Sequence, residues 1–503
     1  MRSKKALLNT VFTLLLELVT IVVGLIVPRL ILTKFGSAYN GITTSIAQFL
    51  TVVALLRSGA GGVTRAALYK PLADGDNEQI SRIMRATEIF MRKIAFIFLG
   101  FLVVFACIYP FVTDEFTWSF VFWLVLILGI DSFFNYCFGI SYQILLMADQ
   151  KEYIYSIIRI VSTVFTAAVS VVLLNLDFGI HIVKLGAALS ALLSPFALFF
   201  YCRRHYSINP KATPDNIAIN QRWTAFVHQI ANYVHSNASV VTLTLFSGDI
   251  KLVSVYGVYS MVISKIRTLV KSLTVGFEAV LGNMLAKKED KLIGYNFKRM
   301  ECVSVVSSNF LFGCTGALIL PFVAVYTKGV TDTQYIVPVF ALLFTFAEYV
   351  YCLRIPFISL VSSAGHFKQT KNSAIIEATI NLCLSIAGVL LFGIVGAAIG
   401  NLCAMVFETL YLINYCHKHI LMSNGASCYI RLSINSIVTL AIMGTSYFMI
   451  DFCNSYLDWI ILAVCVAVAI GIVTALMAFI FYRKECKSVF VSFINIFRKK
   501  AKN

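Results

Sequence analysis

Long apolar runs separated by short polar connections dominate the pattern of this chain. Each run has about 18 to 28 residues, enough at 1.5 Å rise per residue to cross a hydrocarbon layer about 30 Å thick. The first run follows Arg2 and Lys4 as in a signal peptide, but it is too long and lacks a small-residue cleavage site. The pattern predicts about 14 transmembrane helices, at about residues 8–32, 42–64, 93–113, 118–147, 153–175, 180–201, 222–247, 252–281, 301–326, 335–362, 374–392, 394–416, 431–451 and 457–482, numbered here as spans 1 to 14.

The composition excludes an ordinary soluble fold. Of the 503 residues, 59% are hydrophobic and 13% are charged, and the mean hydropathy is +0.84, whereas a soluble domain has about a quarter charged residues. The 13 cysteines are scattered, with no CxxC pair and no His/Cys spacing typical of metal ligands, so neither disulfides nor a metal site is expected. The predicted fold class is an all-α membrane protein.

The charge distribution predicts an orientation. The net charge is +17, and most Lys and Arg residues lie in the connections between apolar runs, which argues against a nucleic-acid partner. If the N-terminus is inside, the outside connections hold only Lys34, Lys184, Lys251 and Lys328. The positive-inside rule therefore places both termini in the cytoplasm.

An internal repeat divides the predicted spans. Residues 41–60 line up with residues 257–276, and residues 79–88 line up with residues 291–301. Six spans separate the copies, so the two halves run in the same direction through the membrane. We expect an N-lobe of spans 1 to 6 at residues 1–205, a cytoplasmic linker at 206–221, a C-lobe of spans 7 to 12 at 222–420, and spans 13 and 14 with a basic tail at 421–503.

Two motifs identify a family resemblance. The stretch from Phe35-Gly36-Ser37 to Asn40-Gly41, and residues 59–72, resemble the polysaccharide transporter family of oligosaccharide-lipid flippases. Its superfamily also contains the lipid II flippases and the multidrug and toxin extrusion exporters. The resemblance implies two six-helix lobes around a central cavity, alternating access, and an undecaprenyl-pyrophosphate-linked oligosaccharide as substrate. In the lipid II flippases, the last two helices form a groove for the lipid tail.

Basic residues inside the apolar runs are candidates for substrate binding. Each costs about 2.5 to 3.5 kcal/mol at the bilayer centre, so it normally faces a cavity or a partner. Span 8 carries Lys265, Arg267 and Lys271, and the repeat makes Arg57 of span 2 the approximate counterpart of Lys271. Such a patch suits a pyrophosphate. The alternatives are structural ion pairs or snorkelling to the interface. Arg29, where snorkelling is favoured, is included because lipid II flippases place essential arginines on their first, second and eighth helices.

Carboxylates and polar stripes inside the runs are candidates for binding a coupling ion, which we expect to be H⁺ or Na⁺. The alternative is a structural pair for Glu17 and interhelical hydrogen bonds for the histidine-containing stripe. The candidates are Glu17, Asp131 with Asn135, the stripe His228, Asn232 and His235, Glu348 with Arg354, and Glu377 with Asn381.

The connection at residues 73–93 has an apolar stripe opposite its arginines. Ile80, Ile83, Met84, Thr87 and Phe90 fall on one helical face. Such a helix is expected to lie on an anionic membrane surface, unless it is a solvated connector.

The predicted function is a flippase for lipid-linked oligosaccharide in the bacterial plasma membrane. A cation-coupled multidrug exporter is the first alternative, although the basic residues of spans 2 and 8 argue against organic cations. A glycosyltransferase or polymerase is the second, but no outside connection is long enough for a catalytic domain, so the protein is not expected to be an enzyme. A membrane scaffold would leave the intramembrane charges unexplained. We expect no cofactor, a monomer, and contacts with membrane lipids, a polysaccharide polymerase and a chain-length regulator.

Overall fold

The computed structural model describes residues 2–215, 237–286 and 290–500, and its described part contains helices and no strands. The chain divides into two compact units, Met1–Ser254 and Val255–Asn503. The helices of the first unit are α1 (Arg2–Phe35), α2 (Ser37–Leu50), α3 (Ala54–Asp74), α4 (Asn77–Ile108), α5 (Trp118–Phe134), α6 (Ile140–Ala148), α7 (Glu152–Asn175), α8 (Ile180–Ala191), α9 (Leu193–His205) and α10 (Asn237–Phe246).

The boundary between the units falls inside α11 (Ile250–Ala286). The second unit continues with α12 (Asp290–Tyr326), α13 (Pro338–Ala364), α14 (Phe367–Phe392), α15 (Ile394–His419), α16 (Ala426–Gly444) and α17 (Tyr456–Lys500). A 3₁₀ segment, Thr445–Phe452, extends α16.

Eleven of the 14 predicted spans correspond to helices of membrane-spanning length in the described part of the chain. Within the described residues, 11 helices are long and apolar enough to cross a membrane, so the chain is a multi-pass membrane protein. The other three predicted spans are not among these 11 helices, each for a separate reason. Span 2 consists of α2 and α3 joined by a 3₁₀ turn at Thr51–Val53, and most of span 7 lies outside the described residues. Span 8 is α11, whose mean hydropathy is lowered by Lys265, Arg267 and Lys271.

The predicted surface helix at residues 73–93 is instead the beginning of α4. Asp76 caps α4 by accepting a hydrogen bond from the Gln79 backbone N–H at 2.9 Å. The apolar stripe is covered by protein, because Ile80, Ile83 and Met84 are at most 4% exposed. The prediction of a membrane-surface helix was therefore wrong, since an amphipathic pattern does not distinguish a lipid surface from a protein neighbour.

The span containing Asp131 is interrupted by a π-helical turn, Asn135–Gly139, between α5 and α6. A Cβ atom at Gly139 would lie 2.1 Å from Asn135 Oδ1, closer than any hydrogen-bonding distance. Only glycine fits there while Asn135 keeps this orientation. Such turns are rare and are frequent at functional sites.

The last two helices pack on α12 in the second unit. Glu301 of α12 accepts hydrogen bonds from Arg431 of α16 at 2.9 Å and from Tyr482 of α17 at 2.8 Å. Asn309 of α12 also hydrogen-bonds Asn435 of α16. The terminal helices are therefore an integral part of this unit.

Two buried carboxylates at aligned positions of the predicted repeat, Glu88 and Glu301, have similar partners. Glu88 of α4 accepts a hydrogen bond from the Tyr142 hydroxyl at 2.6 Å, as Glu301 does from Tyr482. Arg85 lies 3.6 Å from Glu88, as Arg431 lies 2.9 Å from Glu301. The tyrosine and arginine partners do not occupy equivalent positions in the two halves of the sequence, so the repeat itself stays a prediction.

Candidate functional site

A cluster of buried charges on α13 and its neighbours is the candidate site of the second unit. Arg267 Nη1 of α11 lies 3.0 Å from Glu348 Oε2 of α13, and Arg354 Nη1 lies 2.7 Å from Glu377 Oε1 of α14. Glu348 and Arg354 were grouped in the sequence because they share a helix, but each is paired with another helix. They are six positions apart, and residues on one helix face are separated by three or four.

Tyr351 connects the two ion pairs. Its ring centroid lies 5.4 Å from the guanidinium carbon of Arg267 and 4.9 Å from that of Arg354. Both distances are within the range of a cation–π contact. The two guanidiniums are thus held on one aromatic ring, and the pairs form one cluster, which we call the α13 charge cluster: Arg267, Glu348, Tyr351, Arg354 and Glu377.

Glu408 of α15 extends this cluster, and the sequence analysis did not select it. It is 5% exposed, and the charges of Glu377 and Arg354 act on it. Its Oε1 lies 3.0 Å from Ser373 Oγ of α14, and its Oε2 is buried with no hydrogen-bond partner among the described residues. The sequence did indicate Glu408 as a candidate, because a glutamate inside an apolar run of membrane-spanning length is a functional candidate by default.

The basic candidates differ in their surroundings. The paired Arg267 side chain remains 26% exposed, and Lys271, one turn further along α11, is exposed. Lys265 and Arg29 are half-buried. The Arg57 side chain lies outside the described residues, although its backbone is part of α3. Arg267 is therefore held in an ion pair, which was the alternative to substrate binding. A basic patch that includes both Arg267 and Arg57 stays a prediction.

The carboxylate candidates of the first unit lie on α1 and α5. Glu17 is half-buried on α1. Asp131 on α5 has a buried Oδ1 without a hydrogen-bond partner in the described part of the chain. The charge of Arg159 on α7 acts on Asp131. Sequence reasoning did not select Arg159, because nothing in the sequence indicates that α5 and α7 bring these side chains together.

Asn381, grouped with Glu377 in the sequence, has a different set of neighbours. Its Nδ2 donates to Asn401 Oδ1 of α15 at 3.4 Å, and its Oδ1 accepts from the Ser385 hydroxyl at 3.1 Å. The bond to Asn401 is an interhelical hydrogen bond of the kind common in membrane bundles. The stripe His228, Asn232 and His235 lies outside the described residues.

Within the described ranges, no group of three or more His, Cys, Asp or Glu side chains could hold a metal ion. What the α13 charge cluster and Glu408 can do is bind and release protons or exchange ion-pair partners. The groups lie on α11, α13, α14 and α15, and both α13 and α14 pack against α15.

Comparisons with known proteins concern the fold. No protein-family model and no curated protein matches the sequence. The structure is similar to that of the lipid II flippase MurJ in an inward closed conformation, with a TM-score of 0.67 and 16% identity, over 95% of this chain and 99% of that chain.

Two transporter structures are also similar. An inward-facing multidrug resistance MATE family transporter of the MOP superfamily has a TM-score of 0.60 and 12% identity, over 78% of this chain and 93% of that one. The Vibrio cholerae MATE transporter VcmN has a TM-score of 0.55 and 16% identity, over 84% of this chain and 99% of that one. The expected fold is therefore confirmed: this chain has the fold of the MurJ flippase and the MATE transporters.

Proposed function

We propose that this protein is a flippase that moves undecaprenyl-pyrophosphate-linked oligosaccharide units across a bacterial plasma membrane for surface polysaccharide synthesis. The observation that carries the proposal is the extent of the likeness to MurJ, 95% of this chain against 78% and 84% for the two MATE transporters. A match of that extent includes most of α16 and α17. The compared proteins are a flippase and transporters, which supports a transporter rather than an enzyme.

The terminal helices suit a lipid-linked substrate. Their exposed apolar side chains include Ile437, Ile461 and Val468, which are 58% or more exposed. Their other faces pack against α12, where Glu301 and Asn309 form hydrogen bonds with them. Such a pair offers an apolar surface along the protein for a long prenyl chain.

Arg267 is the described residue best placed to bind the pyrophosphate. Its guanidinium is oriented by Glu348 and Tyr351 but remains partly exposed, and Lys271 is exposed one turn away on the same helix. A pyrophosphate would compete with Glu348 for the guanidinium, since phosphate oxygens accept bidentate hydrogen bonds from arginine as a carboxylate does. Glu348 would then lose its ion-pair partner, so substrate binding would change the contacts of α13.

Transport is proposed to use alternating access coupled to a cation gradient. The support is the number of buried carboxylates in membrane helices, because such groups are costly unless they serve ion movement or structure. The positive-inside distribution of Lys and Arg supports cytoplasmic termini. A polysaccharide polymerase and a chain-length regulator are the proposed functional partners.

The test is transport in proteoliposomes that contain the full-length protein and a fluorescent undecaprenyl-pyrophosphate-linked oligosaccharide. The fraction of the lipid exposed on the acceptor leaflet is measured by a membrane-impermeant quencher. The proposal predicts protein-dependent exposure, reduced by Arg267→Ala. Arg204→Ala is the matched control, because Arg204 is exposed at the end of α9, and it should leave transport unchanged.

Two results would overturn the proposal. One is the absence of lipid translocation by folded protein in the presence of proton and sodium gradients. The other is efflux of a lipophilic organic cation from the same vesicles without movement of the lipid, which would establish the multidrug exporter instead.

A further inference from the structure

Three carboxyl groups and two guanidiniums lie at the α13 charge cluster and the neighbouring Glu408. Arg267 pairs with Glu348 and Arg354 pairs with Glu377, at 3.0 and 2.7 Å. Glu408 is the third carboxyl group, and both arginines are already engaged. An ionised Glu408 would therefore be a buried charge in excess, which costs several kcal/mol unless a partner is found.

The hydrogen bonds at Ser373 are consistent with a neutral Glu408. Ser373 Oγ lies 3.0 Å from Glu408 Oε1 and 2.9 Å from the carbonyl oxygen of Thr370. A serine hydroxyl has one proton, a carbonyl oxygen can only accept, and an ionised carboxylate can only accept. Both contacts are satisfied together when Ser373 donates to Thr370 and a protonated Glu408 donates to Ser373.

Arg354 supplies the alternative partner for the ionised form. Among the described residues, its Nη2 donates to the thioether of Met405, at 3.8 Å, and a thioether is a weak acceptor. Met405 lies three positions before Glu408, on the same face of α15. Arg354 can therefore turn from Met405 to Glu408 without leaving the space between α13 and α15.

We propose that Glu408 binds and releases the coupling proton of this transporter, with Arg354 as the partner of its ionised form. A proton from one aqueous side converts the carboxylate to the acid, while Arg354 stays with Glu377. When the proton leaves, Arg354 shifts its Nη2 donor from Met405 to Glu408. The charged groups that face Glu408 from the packed helices α13 and α14 are Arg354 and Glu377. The coupling role rests on the proposed transport function.

Infrared difference spectroscopy tests the proton site without a substrate. The full-length protein in lipid is titrated with pH, and the carbonyl stretch of protonated carboxylic acids is recorded. The wild type should show a buried-acid band that disappears as the pH rises, and Glu408→Gln should lose that band. Asp177→Asn, a control at a side chain that is 85% exposed, should retain it.

Two further variants keep the test decisive if Glu408→Gln does not fold. Glu377→Gln releases Arg354 towards Glu408, so the band should disappear at a lower pH than in the wild type. Ser373→Ala removes the acceptor of the Glu408 hydroxyl, so the frequency of the band should change. A band that is absent in the wild type, or unaltered by all three substitutions, would overturn the assignment to Glu408.

The coupling role is tested in the transport vesicles. A pH gradient should accelerate translocation by the wild type, and Glu408→Gln should lose that acceleration while still binding undecaprenyl pyrophosphate. Translocation driven by a sodium gradient and indifferent to the pH gradient would overturn the coupling role. If the wild type moves no lipid at all, the proposed function fails, and the infrared result still decides whether Glu408 is a proton site.

Discussion

Arg354 donates from Nη1 to Glu377 Oε1 at 2.7 Å, and the two side chains are 4% and 11% exposed inside a membrane protein. Because both side chains are buried, neither group has bulk water as an alternative partner. Four predictions follow from this pair and from three other contacts.

Substitution of Arg354 and substitution of Glu377 should lower the free energy of unfolding by different amounts. Arg354→Ala leaves Glu377 as an uncompensated buried charge, which costs about 3 to 5 kcal/mol. Glu377→Gln should cost less, because Arg354 can turn to Glu408. Thermal unfolding in detergent measures both, with Asp177→Asn as a control that loses only an exposed ion pair, worth about 0 to 1 kcal/mol. Equal losses for the two buried variants would contradict the exchange of Arg354 between the carboxylates.

Gly139→Ala should destabilise the π-helical turn of the first unit. The new Cβ would meet Asn135 Oδ1 at 2.1 Å and Pro195 Cβ at 3.3 Å, and such overpacking costs about 1 to 3 kcal/mol. Adding Asn135→Ala should restore part of the loss, since it removes the nearer atom. Gly100→Ala, where nothing lies within 4 Å, is the control and should be neutral or slightly stabilising. An unchanged unfolding temperature for Gly139→Ala would contradict the described geometry.

Cysteines at Ser45 and Thr244 should cross-link α2 to α10. The two hydroxyl oxygens lie 2.7 Å apart, and both side chains are buried. The double variant is expected to form a disulfide with a mild oxidant, identified by mass spectrometry of the linked peptides. If alternating access requires α2 and α10 to separate, transport should stop in the oxidised protein and return with reductant. Each single variant is the control, and full transport by the cross-linked protein would rule out that movement.

The Asp149 network should make stability depend on pH. Asp149 lies between α6 and α7, outside the membrane helices. Burial acts to raise its pKa, but hydrogen bonds from Lys151 and Tyr206 and the charges of Lys151 and Lys5 outweigh burial, so the pKa is lowered. Lys151 Nζ lies 2.7 Å from Asp149 Oδ2.

A lowered folded-state pKa gives stability that is complete above the unfolded value, about 3.9 for aspartate. That stability is lost as the pH falls through the folded pKa. The unfolding temperature of the wild type should therefore decrease in this acidic range, and Asp149→Asn should show a smaller decrease. Parallel pH profiles for the two proteins would show that Asp149 does not contribute.

The burial of α4 shows where sequence reasoning reached its limit. The apolar stripe of Ile80, Ile83 and Met84 correctly predicted a helix with one apolar face. It could not indicate what covers that face, since a lipid surface and a packed helix require the same pattern. Only the tertiary structure placed the stripe against protein.

The sequence by itself determined the membrane helices, because hydrocarbon permits only segments that satisfy their own backbone hydrogen bonds and are long enough to cross it. It also determined which residues are costly there, including Arg267, Arg354 and Glu377. The tertiary structure alone decided their partners. Arg354 pairs with α14 rather than with Glu348 of its own helix, and Glu408 joins them, because interhelical distances depend on packing between segments far apart in the chain.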